Sequence, residues 1–449
     1  MHHVFFPTLI KPFIVIAFWV AFNEAFETGR SGLESMALAA DGVPAPFMQA
    51  KHVLTLTRHH DASRSESNPL SLRKMDEVDG ARHNASLTSA LKGQLYLADI
   101  TFGTKTFQVA VDTGSSDAWL IGKNFQCINV TTGIKEPQGN CGFGPPYTPS
   151  PTFRQIQNQV RNITYGGGES VAGTVGREVV TFAGITVTDQ EVAVVDSAVW
   201  HGDGVSSGLI GLALPATRSQ SAETNTEKNA TQMVYTPIIT NMFAQGITPQ
   251  IFSLAIDRSA VPSNGGILAI GGLPVGYEEA NFTTTPFRQS STSQGYHSYI
   301  ITISGFTYRV DYRTAEPQPE MASSDGPTTN NSVVDAIVDS GTTFIKAPTA
   351  IANAVNALFD PPATYSVDRG IYLVNCSAKP PYLGINIAST TFSINSEDLI
   401  LAAGQGDCMS GVNDAGNRDS ILGDVFLKNV LAVFDIGARE MRFAAREDH

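Results

Sequence analysis

The sequence predicts an all-β fold in two related halves, on three observations. Its apolar residues come in short runs rich in Val, Ile, Thr and Phe, punctuated by 40 glycines and 24 prolines, a composition that favours strands and turns over helices. From Gln94 onward these runs repeat as strand, glycine turn, strand. A segment near Asp112 also returns, altered, near Asp339. With 449 residues, 42% hydrophobic and 16% charged, the chain can bury a core for two ordinary domains or for one large two-lobed one.

The first residues read as a secretory signal. Lys11 precedes an apolar run from Phe13 to Phe22 that is too short to span a bilayer. Residues 1–26 are therefore expected to be a signal peptide, without a clear cleavage site. Residues 27–82 form a leader with little strand patterning, carrying Arg58-His59-His60, Arg64, Arg73-Lys74 and Arg82 ahead of a body that holds the acidic excess. That contrast suits a removable pro-segment cut after Lys74 or Arg82. A disordered linker is the plainer alternative.

Export has independent support. N-x-S/T sequons begin at Asn84, Asn129, Asn162, Asn229, Asn281, Asn330 and Asn375. Four cysteines suit an oxidising compartment and allow three pairings. Cys127–Cys141 with Cys376–Cys408 is favoured, because each bridge then closes a loop within one half. No C-x-x-C occurs, so zinc and thiol-redox chemistry have no support, and no metal or cofactor is expected.

In the body, LYLADITFGTKTFQVAVDTG reads as a hairpin turning at Gly103-Thr104. Stretches 143–152, 216–232, 259–265 and 314–332 read as loops, and short helices are expected at Ala347–Leu358 and near Thr236–Ala244. The internal repeat comes next. FQVAVDTGSSDAWLIG resembles VDAIVDSGTTFIKAP, each being an apolar strand, then Asp, a hydroxyl residue, Gly and two more hydroxyl residues. A second echo follows in the same order, Leu209-Ile210-Gly211 in the first half and Ile421-Leu422-Gly423 in the second. The domain boundaries expected from this are 83–283 and 284–449, each half contributing one Asp.

Glycine after such an Asp lets backbone turn sharply and lets another chain approach without a Cβ. If the two turns face each other, Asp112 and Asp339 come within hydrogen-bonding distance, and two carboxylates so close cannot both ionise cheaply. At acid pH the pair would hold one proton, one member activating a water and the other polarising a carbonyl.

These motifs resemble the pepsin-like aspartic protease family over residues 94–446. AVDTGSSDAWL is similar to the family's first catalytic turn, with Asp112, Thr113, Gly114, Ser115 and Trp119; AIVDSGTT is similar to the second, with Asp339, Ser340, Gly341 and Thr342. ITYGGGESVAGTVGREVV resembles the substrate-covering flap, making Tyr165 the flap tyrosine beside Gly166 and implying a hydrogen bond to Trp119. The resemblance implies a bilobal fold with pseudo-two-fold symmetry and an active-site cleft between the lobes. It also implies acid endopeptidase activity on protein or peptide substrates, inhibition by pepstatin-type compounds, and a secreted, extracellular or vacuolar monomer. Gly167 stands where fungal relatives carry an Asp that helps accept lysine, so no lysine preference is expected. Ile337 and Phe344 beside the dyad point to hydrophobic residues around the cut bond.

Other classes fare worse. A net charge of −13 with no Lys/Arg cluster argues against a nucleic-acid partner. Gly204-Val205-Ser206-Ser207-Gly208 satisfies G-x-S-x-G, but Pro215 follows where a serine hydrolase needs a long helix. No stalk or apolar tail follows the last expected strand, so no membrane anchor is expected. The serious rival is a catalytically inactive pepsin-fold binding or inhibitor protein.

Overall fold

The computed structural model describes residues 52–56, 83–90, 94–215, 217–220, 232–258, 265–289, 297–310, 327–404 and 406–446. The chain divides into two compact units, Met1–Pro46 and Phe47–His449, and every described residue belongs to the second. The expected signal peptide, most of the leader and the sequon at Asn229 lie outside the described residues.

The strand-turn-strand pattern after Gln94 folds as its alternation dictates. Leu95–Phe102 and Lys105–Asp112 pair antiparallel, Phe102 opposite Lys105, around a turn in which Gly103 has φ +62°. Lys105–Asp112 is buried along its last four residues, since it also pairs in parallel with Gly208–Gly211. Its end is covered on both faces, so Val109, Ala110 and Val111 run on without a polar residue between them. Its neighbours belong to one large sheet that runs from the strand Arg154–Thr164 at one edge to Thr283–Pro286 at the other.

The repeat has a topological meaning. In the first half Gly208–Gly211 lies parallel to the Asp112 strand and antiparallel to Ala118–Ile128. In the second, Ser420–Leu422 lies parallel to Val334–Val338 and antiparallel to Ile345–Ala347. Each echo strand thus threads between the two arms of its Asp turn. Gly211 N donates to Asp117 O at 2.8 Å, and Gly423 N donates to Phe344 O at 3.2 Å. In both halves the acceptor lies five positions after the Asp.

The halves are joined through the large sheet, where Val430–Asp435 from the C-terminal end pairs with Ile251–Ile256. Tyr299, fully buried, donates across to Leu212 O at 2.6 Å. The helices Ile238–Ala244 and Thr349–Asn356 fall where expected, and a one-turn helix, Asp424–Leu427, follows Gly423. Among the described residues no helix is long and apolar enough to cross a membrane.

The leader departs from its reading as a stretch of little strand character. His52–Leu56 is a strand of the large sheet, parallel to His83–Ala90 and antiparallel to Gly266–Ile270. Two neighbours with free backbone edges supply the pairing that its own short pattern does not advertise.

One buried ion pair ties the hairpin Arg154–Phe182 to the first Asp turn. Arg161, almost fully buried, donates to Asp117 at 2.5 Å and lies 4.4 Å over the Tyr235 ring. Removing one partner of such a pair strands the other charge and costs about 3–5 kcal/mol, whereas replacing both by apolar groups is far milder. Arg161→Met should therefore lower the urea midpoint sharply, and Arg161→Met with Asp117→Leu should recover most of it. Equal losses in the single and double variants would show that the pair does not act as a unit.

Candidate active site

The two Asp turns meet through a closed set of four hydrogen bonds. Thr113 N donates to Ser340 Oγ at 3.1 Å, and Ser340 N donates to Thr113 Oγ1 at 2.9 Å. Each hydroxyl then donates beyond the opposite turn, Thr113 Oγ1 to Val338 O at 3.0 Å and Ser340 Oγ to Val111 O at 2.9 Å. Both residues are buried, so every one of these groups needs its partner. A hydroxyl that both donates and accepts is required at this position, and Thr and Ser meet the requirement equally.

The carboxylates are held in matching fashion. Asp112 accepts from Gly114 N at 2.7 Å and from Ser115 Oγ. Asp339 accepts from Gly341 N at 2.8 Å and from Thr342 Oγ1 at 2.7 Å. The glycines are required by proximity: a Cβ on Gly114 would lie 2.3 Å from Asp339 Oδ1, and one on Gly341 would lie 2.4 Å from Asp112 Oδ1. Only bare backbone lets the turns close this far.

Symmetry ends at the solvent. Asp112 is buried while Asp339 is half-exposed. Burial first, then the Asp339 charge, push the Asp112 carboxyl up to about 8, against the pull of Ser115 and Gly114. Two carboxylates this close cannot both ionise cheaply and hold one proton between them at acid pH. A third acid lies nearby. Asp424 is fully buried with both oxygens lacking hydrogen-bond partners, and burial holds its carboxyl well above the usual range despite Lys428, the dyad charges adding to the shift.

The hairpin of Arg154–Thr164 and Ser170–Phe182 ends in a tight turn, closed by Tyr165 N donating to Glu169 O at 2.8 Å. Trp119 Nε1 donates to Tyr165 Oη at 2.7 Å, which places the tyrosine over the first half. Trp200 meets Tyr165 and Trp119 edge-on, at 5.5 and 5.2 Å between centroids, and stacks on Phe143 at 5.9 Å. Beyond the tyrosine the tip reaches the second half, where the Arg418 guanidinium donates to Gly166 O.

Cys127 is bonded to Cys141, and Cys376 to Cys408. Ser206 of the G-x-S-x-G segment accepts no helix behind it; its backbone N donates to Asp203, and His297 sits with Nδ1 at 2.9 Å from Pro215 O. Among the described residues no cluster of three or more His, Cys, Asp or Glu is placed to hold a metal. Arg161, Trp200, Asp424, Lys346 and Arg418 were not singled out by the sequence, and of these only Asp424, next to the echo glycine Gly423, had a motif that could have pointed to it.

The family model for eukaryotic aspartyl proteases matches residues 95–446. A probable aspartic-type endopeptidase of Aspergillus fumigatus is 40% identical over 376 residues, covering 81% of each chain. Rhizopuspepsin-2 of Rhizopus niveus is 27% identical over 97% of this chain and 98% of its own. The crystal structure of the aspartic proteinase from Irpex lacteus superposes with a TM-score of 0.59 at 20% identity, covering 81% of this chain and 97% of that one, which establishes the common fold.

The raised carboxyl of Asp112 has a signed consequence for stability. Its ordinary value is 3.8 and its folded value about 8, so the folded state keeps a proton that the unfolded chain releases. Stability attributable to it is greatest below pH 3.8 and falls as pH rises toward 8, by at most about 1.4 kcal/mol per pH unit. Asp424 acts in the same direction. Urea midpoints should therefore drop between pH 4 and 8, and Asp112→Asn should drop less steeply. Parallel slopes for the two proteins would remove Asp112 as a cause.

Proposed function

The chain belongs to the eukaryotic aspartyl protease family and is an aspartic endopeptidase, and on that premise we propose that Asp112 and Asp339 are its catalytic pair. The observation that carries this assignment is the close approach of two carboxylates, each anchored by its own turn and each pressed against the other's glycine. A water bound between them is within reach of both. Asp339, charged and open to the cleft, takes a proton from that water as its oxygen attacks the scissile carbonyl carbon. Asp112, carrying the shared proton, donates a hydrogen bond to the carbonyl oxygen and stabilises the tetrahedral intermediate. Proton transfer to the amide nitrogen then releases the amine and regenerates the singly protonated pair. The buried acid on one side and the partly exposed base on the other divide the two roles.

Tyr165 and Gly166 form the cover over this site, with Trp119 fixing the tyrosine; Thr113, Gly114, Ser115, Ser340, Gly341 and Thr342 position the pair. Ile337 and Phe344, both half-buried close to Asp339, favour hydrophobic residues around the cut bond. A pepstatin-type inhibitor presents a tetrahedral hydroxyl to the same two carboxylates. The two lobes run over residues 83–283 and 284–449, after a signal peptide of residues 1–26 and a pro-segment of residues 27–82. Sequons, two disulfides and the signal-like start together favour a secreted monomer.

Hydrolysis of denatured haemoglobin by acid-treated protein, followed from pH 2 to 7, is expected to peak below about pH 5 and to vanish with pepstatin. Asp339→Asn and Asp112→Asn should each lose at least about a thousandfold in kcat. Correctly folded, processed protein without activity would favour the pepsin-fold binding protein instead. The pro-segment reading has its own test: the full-length chain should be inert at pH 7 and convert itself at pH 4. Equal activity at both values would remove it.

A further inference from the structure

Two cations face the hairpin tip from the second half, and nothing in the proposed chemistry uses them. Lys346 sits in the middle of Ile345–Ala347, the strand that leaves the Asp339 turn, directly opposite Ile421 and beside Asn413. Its flanking residues Ile345 and Ala347 point into the core, so the lysine alone turns toward the cleft, half-buried. Arg418 lies three residues before Ile421 on the adjoining loop, and its guanidinium touches Gly166 O at the hairpin tip.

The Lys346 ammonium has no counter-charge at contact distance. Among the described residues no ion pair or hydrogen bond engages it. Burial first and Arg418 next push its pKa down, and the Asp339 and Glu169 charges offset this only in part. Glu169 closes the hairpin turn through its own backbone and lies beside Gly167, on the opposite wall. A half-buried cation beside a second cation is costly unless an anion completes it. The groups facing this space are Lys346, Arg418, Glu169 and Asp339, and the last is committed to the dyad.

We infer that Lys346 and Arg418 form a cationic subsite that selects substrates carrying an acidic side chain on the second-half wall of the cleft, beneath the hairpin tip. This rests on the dyad reading above. An ionised Glu or Asp of the bound chain would reach the Lys346 ammonium and the guanidinium N–H groups that Gly166 leaves unused, through charge-assisted hydrogen bonds. A basic side chain at the same position would meet two like charges and be rejected.

The test is a set of C-terminally amidated peptides sharing one hydrophobic cleavage site, with Glu, Gln or Lys placed singly at each flanking position. At about pH 5 the substrate Glu is largely ionised and both cations are charged. At one position kcat/KM should be about fivefold or more higher for Glu than for Gln, and lower still for Lys. The Glu/Gln ratio should shrink toward one at about pH 3, as the substrate carboxyl protonates. Lys346→Gln with Arg418→Gln should bring the ratio to one, and Lys346→Glu should turn the preference toward Lys. The ratio within each variant cancels any general loss of activity. Neutral peptides cleaved without dependence on charge at any position would overturn the subsite and leave the dyad reading standing. Failure to cleave any peptide would overturn the dyad reading and the subsite with it.

Discussion

Gly114 and Gly341 each stand so close to the opposite carboxylate that a single methyl group would overlap it. That approach is held by the four hydrogen bonds that Thr113 and Ser340 make across the turns, all in a buried setting where a missing partner costs about 1–3 kcal/mol. The rest of the architecture follows from keeping the turns in that position. Each echo strand, Gly208–Gly211 and Ser420–Leu422, braces its turn from behind by pairing with both of its arms. Tyr299 and the sheet pairing of Val430–Asp435 with Ile251–Ile256 stop the halves from drifting apart.

A symmetric frame must still become asymmetric to do acid–base work. The asymmetry comes from what covers each half. The first half carries the hairpin, the Trp119–Trp200–Phe143 cluster and the Arg161–Asp117 pair, and its Asp112 is buried. In the second half Asp339 stays partly in contact with solvent. Desolvation therefore acts on one member of a pair whose hydrogen bonds are matched, and it pushes that member's carboxyl up.

What was legible in the sequence was whatever a local pattern encodes. Asp112 and Asp339 announce themselves because each turn's chemistry is written in four consecutive residues, and the repeat of that signature implies the two-fold frame. The hairpin around Gly103 and the helix Thr349–Asn356 were readable for the same reason. Arg161 and Asp117 are 44 residues apart, and Arg418 meets Gly166 across 252. Such contacts have no signature in spacing, and a lone arginine on a strand reads as a solvated face. The strand His52–Leu56 escaped notice because its partners, rather than its own five residues, make it a strand.

The hairpin tip is fastened unequally to the two halves, and this sets how the cleft can open. On its own side Tyr165 is held by the Trp119 indole and packed against Trp200, contacts that are part-buried. On the other side the exposed Arg418 side chain reaches it, at Gly166 O. An exposed hydrogen bond competes with water and contributes little, while an aromatic contact beneath a cover keeps most of its strength. Opening should therefore break the Arg418 contact first and pivot about the tyrosine, so the tip stays registered over Asp112 while the space above Asp339 and Lys346 admits substrate.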